Sequence, residues 1–219
     1  MMRELSWIGL LLISAYLLGS IPTGYLAGRL VKGIDIREIG SGSTGATNVL
    51  RNLGKGPALV VLLIDAAKGV GAVALVHGFF ALTGSSVMPD TWKPWLVAVV
   101  ALAAMLGHSK SIWINFTGGK SAATGLGVLF AMSWFVALSV LIIFIGVVSF
   151  SRIVSLGSIA AAIAVAVLMI VLAQPLPYQL FGVVAGLYVI LRHRANIQRL
   201  FAGTEPRLGQ SASAEMISS

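Results

Sequence analysis

Three short stretches of this 219-residue chain hold residues able to grip a phosphate ester. The first, "GSGSTGATNVLR" at 40 to 51, offers three glycines, four hydroxyl residues and Asn48 ahead of Arg51. Exposed N–H groups and hydroxyls make an anion nest, and the stretch from Thr47 can open a short helix whose N-terminus favours negative charge. Arg51 can hold a phosphate through two parallel hydrogen bonds. The second, "FTGGKS" at 116 to 121, resembles part of a nucleotide-binding loop, but that loop would need a glycine where Ile114 stands, and no strand precedes it. What remains is a Gly118-Gly119-Lys120 turn running into a helix, with Lys120 and the backbone facing an anion. The third, "RHRANIQRL" at 192 to 200, places His193 and Asn196 three apart, hence on one helical face, beside Arg192 and Arg199. Without the other two clusters this third one would read as a basic anchor at the membrane surface.

Two smaller features accompany them. Asp65 and Lys68 stand three apart inside an apolar run, where ionisable residues are costly and pair with one another or mark a site; a structural salt bridge is the favoured reading. Ser155 and Ser158 open another apolar run, as local backbone hydrogen-bonders or as ligands.

The elements that must position these residues are membrane helices. Mean hydropathy is +0.96 and charged residues make up only 10% of the chain, against about a quarter in soluble proteins. Apolar segments run from Leu5 to Leu26, Pro57 to Phe80, Trp95 to Leu106, Ala122 to Val148, Ile153 to Leu172 and Tyr178 to Leu191. The first has no A-x-A-like cleavage site and stays apolar beyond its small residues, so it is read as a retained helix rather than a signal peptide. The absence of cysteine excludes disulfides, thiolate metal sites and cysteine nucleophiles. A net charge of +8 fits positive-inside topology as well as anionic ligands.

Charge placement fixes the expected crossing number. The loops at 28 to 56 and 107 to 121 and the segment after Leu191 are all basic, so all three belong on the cytoplasmic side. A single crossing from Ala122 to Val148 would put the last one outside, and as one helix those 27 residues would be about 40 Å long in a core of roughly 30 Å. A break near Met132, Ser133 and Trp134 repairs both faults. The expected fold is therefore an all-α integral membrane bundle of seven helices, some short, with the N-terminus outside and the C-terminus cytoplasmic. Twelve of the fifteen Lys and Arg then face the cytoplasm. One domain is drawn over residues 1–206, with 207–219 as a tail; the small, polar composition from Gly203 onward suits disorder. A basic face with three phosphate-competent loops at the membrane surface suits a water-soluble phosphate ester meeting a lipid-soluble partner. A transporter of a phosphate ester is the alternative, but only a short echo between "GSIPTG" and "GSGSTG" stands in for the internal repeat such a protein would carry.

The motifs "GSIPTGY", "GSGSTGATNVLR", "GHSKSIWINFTGGKSAATGLG", "SLGSI" and "RHRANIQRLFAG" resemble the bacterial membrane acyl-phosphate:glycerol-3-phosphate acyltransferases, in order and spacing, from about residue 5 to 206. Ser43 and Thr44 stand where that family commonly has Asn and Pro, and Ser121 where it commonly has Gly. The resemblance implies a seven-helix bundle in the inner membrane with its active site at the cytoplasmic face. It implies acyl transfer from acyl phosphate to the 1-hydroxyl of glycerol 3-phosphate, giving lysophosphatidic acid and phosphate, the first step of phospholipid synthesis, with no cofactor or metal. Carried over by position, Arg51, Lys120 and His193 become catalytic, and Ser41, Thr47, Asn48, Gly118, Gly119, Ser155 and Asn196 substrate-binding. The partners implied are glycerol 3-phosphate, long-chain acyl phosphate, the bilayer and the soluble enzyme that makes acyl phosphate, with no nucleic acid.

In such a reaction the phosphate leaving group needs charge neutralisation, which Arg51 and Lys120 can supply. His193 or a donor phosphate oxygen takes the hydroxyl proton, and the resemblance favours the phosphate. Acyltransferases with thioester donors commonly carry H-x-x-x-x-D, whereas the positions five beyond His77, His108 and His193 are Leu82, Trp113 and Gln198.

Overall fold

The computed structural model describes residues 2 to 209, and among them every regular element is helical. The first apolar segment forms α1 (Met2–Ser20) and α2 (Thr23–Lys32), broken at Ile21–Pro22, where proline lacks the N–H that a continuous helix needs. Gly33, in the left-handed region, ends α2. After a loop, α3 (Ala46–Leu53) is separated by Gly54 from α4 (Lys55–Thr83). Then follow α5 (Lys93–Ser109), α6 (Ala122–Met132), α7 (Trp134–Ser151), α8 (Val154–Val171), α9 (Leu176–Arg192) and α10 (Arg194–Phe201).

The expected break in the fourth apolar segment falls at Ser133, whose extended backbone joins α6 to α7. Four helical runs are long and apolar enough to cross a membrane: 2–32 (α1 with α2), 55–86 (α4 and its extension), α7 and α8. The α9–α10 pair bends by 60° at His193, and α6 is a shorter apolar helix. Large apolar side chains such as Ile142, Ile163 and Val171 point outward more than half exposed, as lipid-facing residues do.

In lipid, helices associate by close packing, and small residues let backbones approach. Gly19 of α1 lies against the Ala104 backbone of α5, and Gly107 of α5 against Tyr16 and Ser20 of α1; a Cβ at either would overlap main-chain atoms. The same reciprocal contact joins α4 to α6 through Gly69 and Gly127. The main core of α1 and α4 to α9 is filled by small and medium side chains, with Val73, Val76, Val97, Val100, Val128 and Val136 fully buried. A second, smaller core of Ile36, Val49, Ala58 and Val61 fastens α3 onto α4.

The composition from Gly203 onward suits disorder, yet the segment 203–209 is anchored at particular residues. Glu205 is buried, and the Leu208 N–H donates to the Arg152 carbonyl at 2.7 Å. The rest of the expected tail, 210–219, lies outside the described residues.

Candidate active site

The loop before α3 is shaped by its own side chains. Gly40 and Gly42 take positive φ, and Asn48, only 1% exposed, sits inside the turn. Its Nδ2 donates to the carbonyls of Ile36, Ile39 and Ser43 at 2.9 to 3.1 Å, while its Oδ1 accepts from the Ser41 N–H at 3.0 Å. The polar atoms of Asn48 are thus committed to the loop. Ser43 Oγ accepts from the Gly45 N–H at 3.2 Å, closing the turn with a side chain where the family commonly has Asn. Arg37 joins this region to the next loop: it pairs with Asp35 at 2.7 Å and donates to the Ile114 carbonyl and the Thr117 hydroxyl at 3.1 Å.

The segment from His108 to Ser121 is tethered at several points. Tyr16 donates to the Lys110 carbonyl at 2.8 Å, Ser111 to the Ser20 carbonyl at 2.5 Å, and the Ser109 and Tyr188 hydroxyls share a hydrogen bond. Gly118 packs on the backbone of His108 and Ser109, and Gly119 on the His108 ring, so closely that a Cβ at either would overlap them. Both glycines thus meet protein, and neither lines the central cavity. Ser121 sits at φ +62°, the left-handed region that favours glycine, and its hydroxyl donates to the Met105 carbonyl at 2.6 Å. This is the position where the family commonly has Gly, so the departure keeps the turn and adds a tether.

The 60° bend between α9 and α10 puts His193 and Asn196 on the inner side, 4% exposed each. His193 Nδ1 lies 2.8 Å from the Val189 carbonyl, which can only accept. Nδ1 therefore carries a proton, and in the neutral ring Nε2 keeps its lone pair. Asn196 Oδ1 accepts from Lys120 Nζ at 2.6 Å, and its Nδ2 donates to Glu205 Oε1 at 2.6 Å. Glu205 also accepts from the Ser155 hydroxyl at 2.6 Å and from Arg199 Nε at 2.7 Å. Although burial pushes its carboxyl up, these donors and the Arg199 charge hold it below the usual range. Arg51, exposed, donates to the Pro206 carbonyl at 3.3 Å. Burial lowers the Lys120 ammonium to about 8, and neighbouring Arg199, Arg51 and Arg192 add to the effect against the opposing pull of Glu205. Lys120 is thus a cation in need of an anion.

These groups surround one cavity of about 250 Å³. Ser41, Thr47, Asn48, Arg51, Lys120, Ser155, His193 and Asn196 line it together, which unites the three sequence clusters. Its remaining wall is largely apolar, with Leu126, Leu129, Leu141, Phe144 and Phe181. Glu205 belongs to the polar part and has no place among the expected residues; an acidic side chain four residues beyond an arginine-rich helix was its one signal. The shape and lining fit an amphiphile with an anionic head.

Comparison with known proteins agrees with that lining. The family model described as glycerol-3-phosphate acyltransferase matches residues 9–203. A glycerol-3-phosphate acyltransferase of Trichormus variabilis is 59% identical over 217 residues, 96% of each chain. One from Acaryochloris marina is 61% identical over 208 residues, 92% of each. The crystal structure of PlsY (YgiH), an integral membrane glycerol 3-phosphate acyltransferase, superposes in its glycerol 3-phosphate form with a TM-score of 0.82 at 37% identity, covering 97% of this chain and 99% of that one. Its lysophosphatidic acid form gives 0.79 at 38% identity, covering 92% and 95%. With the family model matching residues 9–203 and relatives 59% and 61% identical over nearly the whole chain, the chain belongs to the glycerol-3-phosphate acyltransferase family.

Proposed function

We propose that the protein transfers a fatty acyl group from acyl phosphate to the 1-hydroxyl of glycerol 3-phosphate, forming lysophosphatidic acid and inorganic phosphate. The observation that carries this is the single cavity whose polar part gathers Arg51, Lys120, His193 and Asn196 and whose remaining wall is apolar. The acid–phosphate anhydride C–O bond breaks as the substrate hydroxyl oxygen forms the new ester, and phosphate departs with the electron pair. Arg51 and Lys120 neutralise the charge that develops on the departing phosphate. His193 Nε2 accepts a hydrogen bond from the glycerol hydroxyl and orients it, while a donor phosphate oxygen takes the proton. Ser41, Thr47 and Ser155 complete the polar contacts. Gly118 and Gly119 serve by bringing the Lys120 backbone close, and Asn48 by holding the Ser41 loop.

The same reading places the chain in the bacterial inner membrane with seven crossings, an outside N-terminus and the site at the cytoplasmic face. There glycerol 3-phosphate arrives from water, and a soluble enzyme can deliver acyl phosphate. Residues 1–206 form the catalytic domain, with 207–219 as its tail. Purified protein given long-chain acyl phosphate and glycerol 3-phosphate, without metal or nucleotide, is expected to form lysophosphatidic acid, and with acyl-CoA essentially none. Equal rates with acyl-CoA would overturn the donor assignment. Uptake of glycerol 3-phosphate into proteoliposomes without acylation would favour a transporter.

A further inference from the structure

Asp65, Lys68 and His108 lie beside the Lys120 end of the cavity, and no step above uses them. Their side chains are 1%, 3% and 5% exposed. Lys68 Nζ donates to Asp65 Oδ1 at 2.7 Å and to the Ile21 carbonyl at 2.8 Å, and the Thr23 hydroxyl donates to the same carboxylate oxygen. His108 Nδ1 is 3.5 Å from that oxygen and 3.4 Å from Lys68 Nζ. Asp65 Oδ2 is buried without a hydrogen-bond partner among the described residues, and Asp65 and His108 both belong to the cavity wall.

An ion pair buried in a membrane helix is expensive, and as a stability device it is no better than packed apolar side chains. What distinguishes this pair is the group next to it. The far side of the His108 ring is where Gly119 packs, with no room for a Cβ before Nε2, and the His108 carbonyl accepts from the Gly119 N–H at 3.2 Å. Arg192 Nη2 closes on the Gly119 carbonyl at 3.1 Å. Lys120 is the next residue. A ring that turned or slid would carry the Gly118–Lys120 turn with it.

We propose that the Asp65–Lys68 pair, with Thr23 on the carboxylate, fixes the His108 ring as the seat of the Gly118–Lys120 turn, so that this buried cluster positions Lys120 for phosphate. The inference rests on the reading of Lys120 as a phosphate grip. Asp65, Lys68, Thr23 and His108 are then positioning residues for the transfer reaction, acting through Lys120.

The test is a mutant cycle on kcat/KM with acyl phosphate and glycerol 3-phosphate, with thermal unfolding in detergent measured in parallel. Asp65→Asn combined with Lys68→Met removes both charges together and leaves neither one unpaired. His108→Phe, the second background, keeps a ring and the ion pair but removes the ring nitrogen that faces Asp65. Lys120→Ala is expected to lower kcat/KM at least tenfold in the wild-type chain and less than threefold in either background, because the lysine there is already misplaced; contacts that act as a unit are non-additive. Full activity in the double variant, or the same Lys120→Ala factor in both backgrounds as in the wild type, would overturn the positioning role. Failure of both backgrounds to fold would overturn it too, as a stability element. A harmless Lys120→Ala in the wild-type chain would instead refute the phosphate grip itself.

Discussion

Lys120 Nζ donates to Asn196 Oδ1 at 2.6 Å, joining two residues 76 positions apart. The contact makes the amide an intermediary: Asn196 passes its other end to Glu205, so the cation feels the carboxylate only at one remove. Lys120 therefore keeps charge to offer a ligand, and burial lowers its ammonium to about 8. A lowered lysine is charged below that value and neutral above it. In the free enzyme, kcat/KM should hold at lower pH and fall as pH rises through about 8, because only the ammonium grips phosphate. Lys120→Arg should move that limb upward beyond reach, even at reduced activity. A profile flat to pH 9.5 in the wild-type chain would contradict the role.

Arg51 is exposed and, among the described residues, its guanidinium makes one hydrogen bond, to the Pro206 carbonyl, which leaves donors to turn toward a ligand. Arg51→Lys keeps the charge but loses the planar paired donors. Hydrogen bonds to charged groups contribute roughly 1.5 to 3 kcal/mol each, so turnover should fall at least tenfold. Lys110→Ala, whose side chain lies outside the cavity lining, should change turnover little. Wild-type rates for Arg51→Lys would remove the bidentate assignment.

Glu205 is the acceptor for Ser155, Asn196 and Arg199. Glu205→Ala leaves these donors facing one another, and an orphaned buried polar group costs roughly 1 to 3 kcal/mol. A lower unfolding temperature is expected together with a loss of activity of at least tenfold, since Asn196 is then free to turn away from Lys120. Unchanged melting and kinetics would mean that the carboxylate is incidental. Because its pKa is lowered in the folded protein, its contribution to stability is present above the ordinary glutamate range and fades as pH falls through the lowered value.

The proposed topology can be read by labelling. The chain has no cysteine, so single replacements at Ser85, Ser151 and Ser213 report without background. Ser85, in the turn after α4, should react with an impermeant thiol reagent in intact cells, and Ser151 and Ser213 only after permeabilisation. Labelling of position 213 from outside would exclude the seven-crossing arrangement.

Much of this arrangement was legible because lipid simplifies the code: long apolar runs read as helices, and a run too long for the bilayer had to break, as it does at Ser133. The union of the three clusters followed from basic loops sharing one side. Detail was lost where a residue type serves two ends. Asn48 resembles a ligand donor in sequence, yet its amide is used up shaping the loop. Gly118 and Gly119 read in sequence as backbone left open for an anion, while in the structure the side where each lacks a Cβ is filled by His108 and Ser109. Glu205 was hidden because a short polar stretch has no periodicity to reveal that one of its residues turns inward; only the donors waiting on α8 and α10 explain its burial.

The position of Glu205 has a consequence for biosynthesis. The groups that meet at the cavity are laid down in the order Arg51, Lys120, Ser155, His193, Asn196, and the acceptor that ties the last of them together comes after all the membrane helices. A nascent chain can insert its whole bundle and still lack the acceptor for Ser155, Asn196 and Arg199. On the proposed reading, activity waits on the segment that follows α10, and a chain interrupted before Glu205 would hold Ser155, Asn196 and Arg199 without their common acceptor.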